Sequence, residues 1–533
     1  MLDKLTQELR DGVLFDIPSG LQQIREDLSL EFPTCADGVG LTLEQKCLGG
    51  TRTKILNEII DWIDTTDATA PRVFWLSGQA GTGKSAIAHA IALYARNLGT
   101  LGSCFCFTRV RQHEGLHTML FATIARDLTD RDLRLRPLLA KVIKDPSLAN
   151  TADVLTQWHK LVVEPMSQLQ KGSSTGNVVV VIDALDESGA EATRTSILEA
   201  LTENDGKLPM NLRIFLTSRP LVDIKEVLHF TQHVHARSLD DIDTQSTRND
   251  IQLYVSSRLK ALGSSFSDED LRSLAAQSDG VFEWARLACD FISHPEAVIA
   301  KKRLETLTHA PGDTLLDEMY MTFLKALTEG PSDVLPMFRS VMRQILWLKV
   351  PLSISALDFM RCSFPRVHDQ YSVGIMLSLM ASLLSGTSEA STPVCPLHSS
   401  FYDFLLDDKR SQEFFIEQGN VHHDLAVASL SVMQKYLQFN ICGLETSYVS
   451  NVEVVDLHER LEKNISPSLL YACQFWATHL QDAEFDAGLA ELVSQFVTGE
   501  QILFWLEVLG ISGMIGEAYG ALISTQKWFQ VSL

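Results

Sequence analysis

The sequence predicts an α/β fold, a mainly parallel five-stranded sheet flanked by helices over residues 47–237, followed by mostly α-helical stretches to Leu533. Three observations lead there. NVVVVIDALDE is a continuous β-branched run, as expected of a central parallel strand buried on both faces. Four shorter strand-like runs, RVFWLS, GSCFCFTR, LRIFLTSRP and HVHA, are interleaved with helical patterns. A glycine-rich turn, GQAGTGKS, joins the first of these runs to SAIAHAIALYA, giving the order strand, tight loop, helix.

The elements follow in order. Residues 1–46 hold two short stretches of helical spacing, TQELRDGVL and LQQIREDL, too small for an independent core. KILNEIIDWI places Ile55, Ile59, Ile60, Trp62 and Ile63 on one helical face, and Pro71 blocks its continuation. SAIAHAIALYARN is a helix closed by Gly99. LHTMLFATIARDL, RPLLAKVI and VLTQWHKLVVEPM are helical, as are most segments from DIQLYVSSRLKAL onward. Residues 391–410 have a strand–turn–helix pattern, and the chain is helical again from 411. These shifts suggest five stretches: 1–46, 47–237, 238–330, 331–410 and 411–533.

Composition excludes several classes. The net charge is −22, with 45 Lys and Arg against 67 Asp and Glu. That opposes phosphate-driven nucleic-acid binding and adhesion to anionic membranes. The nine cysteines contain no CxxC, which fits reduced thiols in a cytoplasmic protein better than a disulfide framework or a zinc site. No signal peptide is recognised, and ILFWLEVLGISGMIGEAYGALI carries Glu507 and Glu517, so no membrane span is expected.

The chemistry centres on Gly78, Gln79, Ala80, Gly81, Thr82, Gly83, Lys84 and Ser85, which satisfy G-x-x-x-x-G-K-[ST] and lead into Ala86. Backbone N–H groups of such a turn curl around a phosphate, and the following helix aims its positive end at the same charge. Lys84 would reach the terminal phosphates and the Ser85 hydroxyl would bind Mg²⁺. Asp183, at the end of the β-branched run, supplies the second metal-associated oxygen, because a buried carboxylate needs a partner. Asp186 and Glu187 follow on the emerging loop, and either one can polarise an attacking water. Arg219 ends LRIFLTSRP, placed to sense a γ-phosphate. The guanine-selective Asn-Lys-x-Asp is absent, which favours ATP/ADP over GTP.

These motifs, together with CLGGTRTKILNEIIDWI, GVFEWARLACDFI and CPLHSSFYDFLLD, resemble the NACHT branch of the STAND P-loop NTPases, in particular fungal members with a nephrocystin-like N-terminal portion. The resemblance implies that Thr51 and Arg52 lie beside the nucleotide and that Asp183 is the Mg²⁺-associated acid. It further implies that Asp186 and Glu187 promote hydrolysis, and that Arg219 is the γ-phosphate sensor. His398 matches a winged-helix histidine that contacts the β-phosphate of ADP. Residues 331–410 then correspond to a winged helix and 238–330 to a helical NACHT-associated domain. The family's glycine-x-proline element is replaced here by Gly280-Val281-Phe282, and Phe282 and Trp284 are read as core residues. The WD repeats usual in fungal relatives and a full effector domain are not expected in this chain. The resemblance implies a slow, ATP-hydrolysing molecular switch that self-associates with ATP bound. A nucleotide-binding scaffold or truncated fragment without productive hydrolysis, and a P-loop ATPase or phosphotransferase with a dedicated substrate, are the competing readings.

Overall fold

The structure, a computed structural model, describes Ala36, Gly40 and residues 46–531, apart from 68, 110–115, 144–152, 171–175, 203–207, 230, 232, 260–265, 294–296, 309–314, 329–333, 367–370, 388, 447 and 455. The two helical stretches expected within 1–46 lie outside the described residues. Two compact units divide the chain between Ala285 and Arg286.

In the first unit, all five expected strands form. They are β1 (Val73–Ser77), β2 (Leu101–Cys106), β3 (Val178–Asp183), β4 (Leu212–Ser218) and β5 (Val234–Ser238). Their order is β2-β3-β4-β1-β5, with every pairing parallel. β3 is buried along its whole length, as its unbroken run of branched residues requires. Side chains alternate between faces. One face of the sheet packs Phe74, Leu76, Cys104, Val179, Val181 and Phe215 against helix α1 (Thr53–Asp64) and helix α2 (Lys84–Asn97). The opposite face packs Val73, Trp75, Phe105, Val180 and Ile182 against α3 (Leu116–Arg131), residues 154–166, α4 (Glu191–Thr202) and α5 (Val222–Leu228). The result is a three-layer α/β/α core of P-loop type.

The sequence reading of individual helices holds, with local differences. On α1, Ile55, Ile59, Trp62 and Ile63 are buried, while Ile60 is half-buried at the rim of the same face. α2 ends at Gly99, whose φ of 68° lets the N–H groups of Gly99 and Thr100 turn back to the carbonyls of Arg96 and Ala95. VLTQWHKLVVEPM is not one α-helix. A π-helical turn, His159–Val163, separates Val154–Trp158 from Glu164–Gln170. Pro165 has no N–H to give Leu161, so the regular ladder cannot run through it. The unit closes with α6 (Thr244–Leu259), α7 (Asp268–Gln277) and the start of α8 (Phe282–Ile292).

The second unit is mostly helical. It contains α9 (Leu315–Thr328), α10 (Val334–Trp347), α11 (Ile354–Arg361) and α12 (Gly374–Leu379), then an antiparallel pair β6 (Leu384–Ser385) and β7 (Cys395–Pro396), then α13 (Ser399–Leu405). Next come α14 (Val421–Tyr436) and α15 (Pro467–Asp482), which pack on each other, followed by α16 (Ala487–Thr498), α17 (Gln501–Ile511) and α18 (Glu517–Val531). The core of this last group is a cluster of edge-to-face rings, Trp476 with Phe496 and Trp505 at centroid separations of 5.1 and 5.9 Å. Among the described residues, no helix is long and apolar enough to cross a membrane.

Candidate functional site

The glycine turn sits at the carboxyl end of β1, in the centre of the parallel sheet. Gly81 and Gly83 take φ values of 78° and 93°, which aim successive backbone groups inward and which other residues adopt only at a cost. A side chain at Gly81 would also collide, because a Cβ there would lie 2.9 Å from both Glu283 Cβ and Val281 Cγ1. The Thr82 hydroxyl donates to the Gln79 carbonyl at 2.8 Å and braces the turn. Lys84 curls over it, its ammonium donating to the carbonyls of Gly78 and Gln79, both at 2.8 Å. Ser85 is exposed at the first turn of α2, and Ala80 and Ala86 are half-buried beside it.

The acids gather around this lysine. Burial pushes the Lys84 ammonium below its ordinary range; Asp186 is the strongest opposing charge, followed by Asp183, while Arg219 adds to the depression and Glu187 opposes it. Asp183 is 3% exposed at the end of β3 and accepts a very short hydrogen bond on Oδ1 from Thr217. The same Thr217 hydroxyl accepts the Ala184 N–H at 3.0 Å, holding Ala184 in a left-handed conformation at φ 56°. Arg219 is bound by both acids on the loop. Its backbone N–H donates to Asp186 Oδ1 at 3.0 Å, its Nε lies 3.1 Å from Asp186 Oδ2, and its Nη2 lies 3.9 Å from Glu187 Oε1. Glu187 Oε2 in turn accepts the Arg109 N–H at 2.9 Å.

Arg52 approaches the turn from outside. Its Nη2 donates to the Thr82 carbonyl at 2.9 Å and its Nη1 to Thr247 Oγ1 at 3.2 Å, while its backbone N–H donates to Asp250 at 3.0 Å. Burial lowers its pKa, with Asp250 opposing. Thr51 is buried, and its hydroxyl donates to the Leu48 carbonyl at 2.7 Å. Trp284 is a core residue as expected, 3% exposed. Phe282 is not. It is half-buried under the Arg52 guanidinium, 4.9 Å from its ring centroid, and beside Gly83. The Glu283 N–H donates to the Gly81 carbonyl at 3.1 Å, so Val281-Phe282-Glu283 lies against the glycine turn.

Two residues escaped the sequence reading. Thr217 is a fully buried hydroxyl that directly follows the apolar run Ile214-Phe215-Leu216 in β4, a signal that could have marked it. His89, five residues beyond Lys84 on α2, is 3% exposed, and burial depresses its pKa against the pull of Asp183. Beside His89, the neighbouring Cys104 thiol and burial keep the Cys106 thiol protonated well above its ordinary range.

The structure brings Arg52, the glycine turn, Asp183, Asp186, Glu187 and Arg219 together in the first unit. His398 belongs to the second unit and caps α13. Its Nδ1 accepts the Ser400 N–H at 3.2 Å and lies 2.6 Å from Ser400 Oγ, which is 2.8 Å from the buried Tyr320 hydroxyl. A ring nitrogen that accepts a backbone N–H has no proton of its own, so this network assigns the imidazole proton to Nε2.

Residues 50–219, from the glycine before Thr51 through Arg219, match the family described as Nephrocystin 3, N-terminal. No curated protein matches. Among solved structures, the chain is similar to a Signal Transduction ATPase with Numerous Domains (STAND) protein with a tetratricopeptide repeat sensor from Pyrococcus horikoshii, with 12% identity over 94% of this chain and a TM-score of 0.38. This chain spans 65% of the length of that protein. It is also similar to the ORC2 protein of Aeropyrum pernix, solved as ADPNP and ADP complexes, with 12% identity over 68% of this chain and 90% of the other and a TM-score of 0.30. A third likeness is to Drosophila ORC bound to GC-rich DNA and Cdc6, with 12% identity over 86% of this chain and 69% of the other and a TM-score of 0.24.

Proposed function

We propose that the chain is a STAND-type NTPase of the NACHT branch that binds ATP/ADP with Mg²⁺ and works as a slow nucleotide-dependent switch in the cytoplasm. The observation that carries this reading is the convergence of Asp183, Asp186, Glu187 and Arg219 on Lys84 at the glycine turn. Backbone N–H groups of the turn and the first turn of α2 would hold the β-phosphate, with Lys84 leaving the Gly78 and Gln79 carbonyls to meet it. The donors expected for Mg²⁺ fit it. The Ser85 hydroxyl is exposed, Asp183 commits one carboxylate oxygen to Thr217 and keeps the other, and both are hard oxygen ligands. Bound there, the ion would neutralise phosphate charge.

The Arg219 pairing supports a switch rather than a constantly active enzyme. An arginine held by Asp186 and Glu187 is unavailable to a γ-phosphate, and the acids it neutralises are poor at polarising water. A γ-phosphate that draws Arg219 away would release both acids together. His398, with its proton on Nε2, would offer a hydrogen-bond donor suited to the β-phosphate of ADP. Moving such an equilibrium from 1:99 to 99:1 takes about 5.5 kcal/mol of differential affinity. ATP would favour the released form and self-association.

The test is mass analysis of the nucleotide that co-purifies with the wild type and with Lys84→Ala, with size exclusion of each after loading with ADP or ATP. Near-stoichiometric ADP in the wild type, none in the variant, and a larger species only with ATP are expected. Micromolar affinity retained by Lys84→Ala would remove the phosphate assignment.

A further inference from the structure

Cys106 and Asp183 are direct register partners at the carboxyl ends of β2 and β3. Their parity with Cys104, Val179 and Val181 puts both side chains on the sheet face that α2 covers. From α2, His89 projects onto the same spot. An imidazole nitrogen, a thiol sulfur and a carboxylate oxygen thus meet, all within 4.8 Å of one another, and they are brought together from three separate elements. His89 and Asp183 are each 3% exposed, so the cluster is walled from solvent on two sides.

Imidazole, thiolate and carboxylate together are the ligand set of a borderline-soft divalent ion and a poor set for Mg²⁺. Bond lengths of about 2.0–2.3 Å require the donors to close in by about 1 Å, within the reach of side-chain rotation. We propose that His89, Cys106 and Asp183 form a three-ligand Zn²⁺ site with its fourth position open. Binding displaces one proton from the Cys106 thiol, since a coordinating thiol is deprotonated outright. The Asp183 oxygen not held by Thr217 joins the zinc ion. Resting on the function proposed above, this withdraws Asp183 from Mg²⁺, so Zn²⁺ antagonises Mg²⁺–nucleotide binding. The cysteines therefore include one metal ligand that sequence spacing hides, because the donors stand at 89, 106 and 183.

Co²⁺ titration of the full, chelator-treated, nucleotide-free chain tests the site through the thiolate-to-cobalt charge-transfer band. One equivalent should develop the band, and Zn²⁺ should abolish it. Cys106→Ser should lose it, His89→Gln should weaken cobalt affinity at least tenfold, and Cys104→Ser should keep it. Thermal unfolding midpoints verify that each variant is folded. A wild type without the band, or a band unchanged in folded Cys106→Ser, overturns the site. In a second arm, one equivalent of Zn²⁺ should weaken Mg²⁺-dependent binding of fluorescent ADP at least tenfold in the wild type and not in Cys106→Ser. An unchanged affinity overturns the antagonism. A cobalt band in a chain that binds no nucleotide refutes the proposed function and leaves the site standing; nucleotide binding without the band does the reverse.

Discussion

Replacing Thr217 by valine keeps the shape of a side chain that is completely buried and removes only its hydroxyl. Two hydrogen bonds go with it, the one donated to Asp183 and the one accepted from the Ala184 N–H. A hydrogen bond to a charged group contributes about 1.5–3 kcal/mol, and a buried N–H left without an acceptor costs about 1–3 kcal/mol. Ala184 also loses the contact that holds its left-handed backbone, a conformation that costs roughly 1–2 kcal/mol without glycine. The expected destabilisation of the first unit is therefore about 3.5–8 kcal/mol. With a urea m-value of about 3 kcal/mol/M, the midpoint falls by about 1–3 M. Trp75 is a suitable reporter, because its indole N–H donates to Ser218 Oγ at 2.9 Å, one residue beyond the substitution. Thr217→Ser retains the hydroxyl and loses one buried methyl, so it should cost only about 1 kcal/mol. Equal destabilisation by valine and serine, or a loss below about 1 kcal/mol for valine, would refute the claim that Thr217 holds the acidic loop by hydrogen bonding.

Gly81→Ala places a Cβ against Glu283 and Val281 at a φ of 78° and should lower nucleotide affinity at least tenfold by fluorescence titration. Gly99→Ala, at φ 68° with open space around it, should cost only the backbone strain of about 1–2 kcal/mol in unfolding and leave affinity intact. In the second unit, hydrogen bonding to Asp424, reinforced by Asp486, raises the His423 pKa above 6.5. A raised histidine pKa stabilises the fold fully below the unfolded value and loses that contribution as pH rises through the folded value. The stability advantage of wild type over His423→Gln should accordingly be largest below about pH 6.5 and shrink at higher pH in denaturation midpoints; an advantage independent of pH would show that His423 acts by packing alone.

The strands, the glycine turn and the helix that follows it were legible because each is dictated by a short window. A β-branched run can be satisfied only inside a sheet, and GQAGTGKS forces its own backbone. Ile60, Phe282 and the break before Pro165 were less legible. Ile60 and Phe282 sit at the rim of faces whose width depends on neighbours, and Phe282 is turned from core residue to neighbour of the glycine turn by Arg52, which lies 230 residues earlier in the chain.

By itself the sequence determined a parallel α/β core of P-loop type, the positions of its candidate phosphate and metal ligands, and a net charge of −22. Local propensity and hydrophobic period carry that much, since both act over a few residues. Only the tertiary structure decided the partners of those ligands. It gave Asp183 the Thr217 hydroxyl, gave Arg219 the two loop acids, placed His398 at the cap of α13 with its proton on Nε2, and set His89 and Cys106 beside Asp183. Each of these pairings depends on which strands lie side by side and which helix covers them, and that is fixed by burial of the whole core rather than by any one segment.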